Sequence, residues 1–449
     1  MSTPFIVGPG QIQELPITSE QQAVDMAFLR DKRSLLANPG IKLDDVYYSA
    51  LNTSVELAEV TYNFARFHQS LSNSLFNGQS QVVIPNSSLT STVFLRLVLP
   101  ALLANQTLPR GWGWAAISSI NFLLGSSNVS LVQIAGQNVL QIIMAQCDTD
   151  SKRNDLIRYG GEETFGPTVG PVEAVLVLPF PWSSANGQYA KRPFDTRLLE
   201  NPITIQIAFN AARSIFGGSA APPGGFSEAM ILVKQGDFAQ PSQSLATALR
   251  IHPDMHYCYP FTYAQAGQTQ TFQANNNAPI SVNLLGFING DLVGITIGVV
   301  AQSDTAPAAN STPNPFNYQQ LQDITVAFNG QTMYFAPGQI AYKIYGTDGE
   351  LTSGKFANSI VGPGAVAPFT SVPADTYPLY LDWARLRAAS FEDHYPNVWR
   401  IGSNTLVINF TLPNAPGPLL PSVPFTLYAT YYYNGCFLTQ NGVSRAYFD

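Results

Sequence analysis

The chain has 449 residues, 45% apolar and only 11% charged, with 34 glycines, 33 prolines, 27 phenylalanines and 20 tyrosines. That length spans two or three domains of ordinary size, and the composition favours many short strands joined by turns. A net charge of −7 with scattered Lys and Arg residues leaves no basic stripe to neutralise a row of phosphates, so direct nucleic-acid binding is not expected.

Near the N-terminus Arg30, Lys32 and Arg33 are offset by Glu14, Glu20, Asp25 and Asp31, so no basic arm forms there. Thr18 or Ser19 can cap a short amphipathic helix with Val24, Ala27, Phe28 and Leu35 at helical spacing, and Asn38-Pro39-Gly40 stops it. No signal-peptide pattern and no uninterrupted apolar run of about eighteen residues is present, so a soluble product is expected. Cys147, Cys258 and Cys436 are odd in number and far apart. They argue against a disulfide framework and for a reducing compartment.

From about residue 48 the pattern changes to β-branched and aromatic runs bounded by Gly, Pro, Asn and Ser. Strands are predicted over 55–67, 92–100, 115–124, 129–135, 172–180, 203–209 and 228–234, with a helical interlude over 137–158. The second half then repeats the first. Asn86-Ser87-Ser88-Leu89 matches Asn289-Gly290-Asp291-Leu292, Ile120 matches Ile324, Gly136-Gln137 matches Gly338-Gln339, and Phe209 matches Phe410, at offsets of 203, 204, 202 and 201. Nearly constant offsets of about 200 residues indicate a duplicated domain rather than a solenoid unit. The expected class is therefore all-β: an N-terminal arm with a short helix over 1–47, a first sandwich over 48–238 and a second over 239–449. The boundary falls near GDFAQPSQS (236–244). About eight strands per half is the number used by a jelly roll. Turn-rich insertions at 217–225, 303–317 and 361–376 are expected at corresponding places outside the sandwiches.

Reactive chemistry is sparse. The chain has no G-x-S-x-G elbow, H-E-x-x-H, P-loop, dinucleotide fingerprint or C-x-x-C. His252, His256 and Cys258 have spacings that could hold a metal, but Pro253 interrupts helical geometry and the run reads as a strand. Glu392-Asp393-His394 could serve acid–base chemistry, yet no nucleophile accompanies it. Glu162 and Glu163 would point to opposite faces of an extended backbone. Trp112 and Trp114 in GWGWAAI alternate and could stack a sugar, although a place at the core edge is the simpler role. Tyr431-Tyr432-Tyr433 suits a strand with one ring inward and its neighbours outward. Sequons at Asn52, Asn86, Asn105, Asn128, Asn310 and Asn409 carry no weight without a secretory signal. No catalytic, cofactor-binding or metal-binding residue is assigned, no cofactor is expected, and the chain is not read as an enzyme.

Four segments resemble the double jelly-roll major capsid proteins of the nucleocytoplasmic large DNA viruses, virophages and polinton-like viruses. IPNSSLTSTVFLRLVLPAL (84–102) is similar to that family's turn and strand ending in Leu-Pro. AISSINFLLGSSNVSLVQIAGQNVL (116–140) resembles a strand pair with a glycine turn before a helix, with Ala135-Gly136 in place of a double glycine. VLVLPFPWSSANGQYAKRPFDTRLLENPITIQIAF (175–209) matches at Leu178, Pro179, Phe180 and Trp182, while only Arg197-Leu198-Leu199 represents the usual apolar Leu-Pro-Leu. FTLYATYYYNGCFLTQNGVSRAYFD (425–449) is similar to the terminal strand and aromatic tail. The resemblance implies two tandem eight-stranded jelly rolls and a homotrimeric, pseudo-hexameric capsomer in an icosahedral virion shell. Expected partners are neighbouring capsomers and minor capsid or penton proteins, with residues 1–40 meeting either an internal membrane or minor capsid proteins. Synthesis is expected in the host cytoplasm. The alternative is a cellular double jelly-roll protein that binds or processes glycans, for which Trp112, Trp114 and the Glu392-Asp393-His394 cluster are the available residues.

Overall fold

The computed structural model describes residues 60–86, 89–124, 129–138, 158–179, 194–238, 257–267, 269–274, 279–284, 291–302, 312–314, 318–319, 321–328, 330–337, 378–382, 406–412, 423–440 and 443–447. In the first half the strands are β1 (Val60–Ser70), β2 (Gln79–Ile84), β3 (Leu89–Leu99), β4 (Thr107–Leu108), β5 (Ile117–Leu124) and β6 (Val129–Ala135). They continue as β7 (Thr164–Phe165), β8 (Val172–Leu178), β9 (Phe194–Asp195), β10 (Ile203–Phe209) and β11 (Glu228–Phe238), and a one-turn helix α1 (Trp112–Ala115) precedes β5. In the second half they are β12 (Tyr257–Ala266), β13 (Gln270–Ala274), β14 (Ile280–Leu284), β15 (Asp291–Ala301), β16 (Gln322–Phe328) and β17 (Gln331–Ala336). The last are β18 (Leu379–Asp382), β19 (Leu406–Thr411), β20 (Val423–Gln440) and β21 (Val443–Tyr447).

Alternation of side chains decides which face of each strand is dry. In ITIQIAF, Ile203, Ile205, Ile207 and Phe209 are buried while the residues between them are half-exposed, and opposite them β2 buries Val82 and Ile84. Eight long strands of the first half form two sheets in the orders β1-β11-β3-β8 and β2-β10-β5-β6. First pairs with last, second with second-last, third with third-last, and β5 with β6 at the centre. This is one long hairpin rolled up, the topology of a jelly roll. The second half repeats it strand for strand, with β12-β20-β15-β18 facing β14-β19-β16-β17. The protein is a double jelly roll.

The repeat offsets hold at the level of strands. Ile120 and Ile324 both lie on the fourth strand of their sandwich, and Phe209 and Phe410 on the seventh, all four buried. Gly338 lies outside the described residues, as do the whole arm over 1–47 and most of 137–158, of which residues 137–138 and 158 are helical. Several predicted boundaries move. The third strand begins at Leu89, three residues before the expected start at Thr92, and Thr90, outside the predicted strand, is buried within it. Strand β11 continues through Gly236-Asp237-Phe238, paired with Tyr62, Thr61 and Val60, where a linker was expected to begin. The insertions do not occupy equivalent connections: 217–225 joins the last two strands of its sandwich, 303–317 the third and fourth, and 361–376 the fifth and sixth.

Buried side chains of both halves form one apolar cluster, running from Leu71 to Phe437. Gly136, directly after β6, is held against the start of β5. A Cβ there would lie 1.7 Å from the Ile117 carbonyl oxygen and 2.9 Å from that of Trp114. Backbone atoms cannot swing aside as a side chain can, so Gly136→Ala is expected to lower unfolding free energy by about 3 kcal/mol in urea denaturation.

Candidate functional site

The residues singled out for chemistry do not converge. Trp112 and Trp114 are both 0% exposed and sit on α1, not on a strand. Gly111 at φ 70 enters that turn left-handed, which replaces the expected alternation with a helical turn. Gly161, at φ 114, lies so close to Trp112 that a Cβ would be 2.3 Å from the indole nitrogen. Both rings are core, and the aromatic platform needed for glycan stacking is absent at these positions. Glu162 is exposed and forms an ion pair with Arg158 at 2.8 Å. The Glu163 carboxyl is pushed up by burial, partly countered by Arg110, whose guanidinium is itself pulled down by burial. Cys258 is a rung of β12 opposite Leu438, and Cys436 lies opposite Pro260. His252, His256, Cys147 and Glu392-Asp393-His394 lie outside the described residues. Among the described residues no three of His, Cys, Asp and Glu gather as a metal site would require, and no helix is long and apolar enough to cross a membrane.

What the sequence does build is surface. At one end of the first sandwich four connections, 71–78, 100–116, 158–171 and 210–227, are tied together by backbone hydrogen bonds. Phe226 donates to the Ser74 carbonyl at 2.9 Å, Thr107 and Gly217 exchange bonds at 3.1 and 2.9 Å, and Gly166 donates to Gln106 at 2.9 Å. Buried Gln106 donates to the Ala221 carbonyl at 2.7 Å and accepts from the Leu103 amide at 2.8 Å. Phe76 packs against Phe216 and Phe226 beneath. The result is a stiff cap rather than a set of independent loops, and it carries exposed Leu75, Leu103, Tyr159, Phe165 and Val169.

A second constructed feature is the seam between the sandwiches. The edge strand β6 of the first half meets the edge strand β12 of the second in parallel, with Gln133 opposite Gln265, fusing two four-stranded sheets side by side. Asn138, 2% exposed, donates to the Ala429 carbonyl at 3.0 Å and to the Thr430 hydroxyl at 2.6 Å. Phe194 packs against Phe437 with centroids 4.8 Å apart and the rings tilted by 33°, and the Thr107 and Thr312 hydroxyls are 2.7 Å apart. Over Ala429–Tyr433 both faces of β20 are consequently dry. Tyr431 and Tyr433 lie on one face and Tyr432 on the other, but all three are buried, whereas outward rings were expected. Sequence reasoning missed Asn138 because a lone asparagine after a strand has no pattern; its signal is three-dimensional.

A double jelly roll whose halves are joined edge to edge defines the structural class. Among solved structures the chain is similar to the capsid of PBCV-1 in a quasi-atomic description, with a TM-score of 0.60 and 10% identity over 87% of this chain and 97% of that one. It is similar to PBCV-1 VP54 fitted into a reconstruction of the virophage Sputnik, with a TM-score of 0.58, 10% identity and the same coverage. It is also similar to the Faustovirus major capsid protein, with a TM-score of 0.51 and 9% identity over 94% of this chain and 99% of that one. No family model matches the chain, and no curated protein matches it by sequence. The shared property is therefore the fold.

Two tests follow from these sites. Asn138→Ala removes both seam hydrogen bonds and is expected to cost about 1–3 kcal/mol in chemical denaturation, because the Thr430 hydroxyl and Ala429 carbonyl stay buried. Because burial raises the Glu163 pKa, its protonated form is favoured in the folded state. The stability it contributes is fully present below the ordinary carboxylate pKa and is lost as pH rises through the raised value. Glu163→Gln is thus expected to raise Tm at pH 7 and leave it unchanged near pH 3, as read by thermal scans at both pH values.

Proposed function

We propose that the protein is the major capsid protein of an icosahedral DNA virus, a structural subunit rather than an enzyme. The observation that carries the reading is the tandem pair of identically wound sandwiches fused at one seam, in a fold shared over nearly the whole chain with proteins of viral capsids. Three copies of such a chain supply six similar units, and a closed ring of six tiles a plane without six separate chains. The low charge content fits a surface that lies against many copies of itself, where like charges would accumulate repulsion. The knitted cap of loops at one end of the first sandwich suits an exposed, rigid face. Glycan binding loses support because Trp112 and Trp114 are core residues.

In this reading the chain divides into an arm (1–47) and jelly rolls over 48–238 and 239–449. The arm lies at the inner face of the shell and meets minor proteins or an internal membrane, while penton proteins and neighbouring capsomers meet the flanks. Synthesis takes place in the host cytoplasm and the product resides in the virion. Genome contact falls to other components, given the acidic balance of the chain.

Light scattering of the purified protein is expected to give a trimer, and electron microscopy of concentrated samples hexagonal sheets or shells; a monomer without lattice contacts would overturn the reading. Deleting residues 1–40 is expected to leave the trimer folded and to impair shell assembly. Loss of folding in that variant would assign the arm to the core instead.

A further inference from the structure

The seam inside the chain has a counterpart that no described residue fills. Strand β6 is the fifth strand of its sandwich and β12 the first of the next, and they pair. Their repeat equivalents are β17, fifth strand of the second half, and β1, first strand of the first half. Each is the terminal strand of its sheet, with an open outer edge among the described residues.

The equivalence can be followed rung by rung. Val93 and Ile295 are the fifth residues of β3 and β15 and both are fully buried, an offset of 202 where Leu89 and Leu292 gave 203, the difference falling at the bulge between Leu292 and Gly294. Val93 pairs with Val233, which pairs with Phe67; Ile295 pairs with Tyr431, which pairs with Gln265. Phe67 therefore stands where Gln265 stands. On the other side, Ile120 pairs with Ile134 and Asn121 with Gln133, while Ile324 pairs with Ala336 and Thr325 with Phe335. Phe335 stands where Gln133 stands.

We infer that β17 of one copy pairs in parallel with β1 of a second copy, setting Phe335 against Phe67 as Gln133 is set against Gln265 within the chain. The strand QTMYFA has neither a charge nor a proline to blunt its edge, the usual protections of an edge that stays in water. Phe335 on it is 64% exposed, while Phe67 is half-buried against the core. A polar pair joins the sandwiches that covalent linkage already holds together; an aromatic pair joins those that must find each other. Adding a strand to an open edge supplies main-chain hydrogen bonds, and the rings supply specificity. The contact is head to tail, so three of them close a ring with the three internal seams.

This inference rests on the trimeric reading, and the test separates the two. Phe67→Cys/Phe335→Cys double-variant protein, oxidised with diamide, is expected to give a non-reducing ladder ending at a covalent trimer; the wild type and each single variant should give none. Phe335→Asp, at an exposed site that should not disturb folding, is expected to raise the midpoint concentration for trimer formation by about tenfold or more. A wild-type trimer with no cross-linked ladder and undiminished assembly of Phe335→Asp would overturn the edge pairing and leave the trimer standing. A cross-link confined to the monomer band would assign the edge to the same chain and overturn the inference. A wild-type monomer would remove both.

Discussion

Strand β20 is the constraint on which the molecule turns. Its eighteen residues are paired with β12 and β13 along one side and with β15 and then β21 along the other. The face bearing Leu427 and Ala429 completes the second core, opposite Val299 and Ile297, while Thr430 and Tyr432 on the reverse meet Thr296 and the Asn138 of the first sandwich. A strand buried on both faces cannot alternate apolar with polar residues, which is why FTLYATYYY is so uniformly apolar and aromatic. Without it the second sandwich has no centre, and the seam has no wall against which β6 and Asn138 can rest.

The sequence was most legible where one face of a strand is wet. VSLVQIA and ITIQIAF were located to the residue because turns bound them and, in the second, apolar residues recur at every other position. It was least legible where burial overrides that rhythm. Thr90, just after Asn-Ser-Ser, falls outside the predicted strand and is interior; Tyr431 and Tyr433 look half outward and are interior. GWGW reads as alternation, but a glycine in the left-handed region turns it into a helix and sends both indoles inward. The duplication was visible because Ile120 and Ile324 keep their place on the same strand, whereas the seam was not, since Gln133 and Gln265 carry no apolar signal.

Burial and dispersal keep the chemically capable side chains among the described residues from meeting at one site. Side chains that could have formed a binding platform are locked beneath the loops, and Glu162 serves an ion pair at the surface. Four connections that in most sandwiches vary freely are here bonded to one another, so their shape is fixed by the same core that fixes the strands. Elsewhere on the first sandwich Arg96 bridges Glu173 and Glu228 across three strands at 2.9 and 2.6 Å.

The nested winding also sets an order of events. The first sandwich closes when β11 slides between β1 and β3, so it can be complete while the ribosome is still making the second half. From that moment until β12 is made and settles, β6 is an open edge, and the partner it awaits is only nineteen residues beyond β11. The second sandwich must wait for β20, more than 150 residues after β12, before its own sheet has a middle. Long-range closure of this kind is slow. Strand β11 comes as far after β1 as β20 comes after β12, so each half in turn passes through an interval in which a neighbouring copy can present the same unfinished sheets.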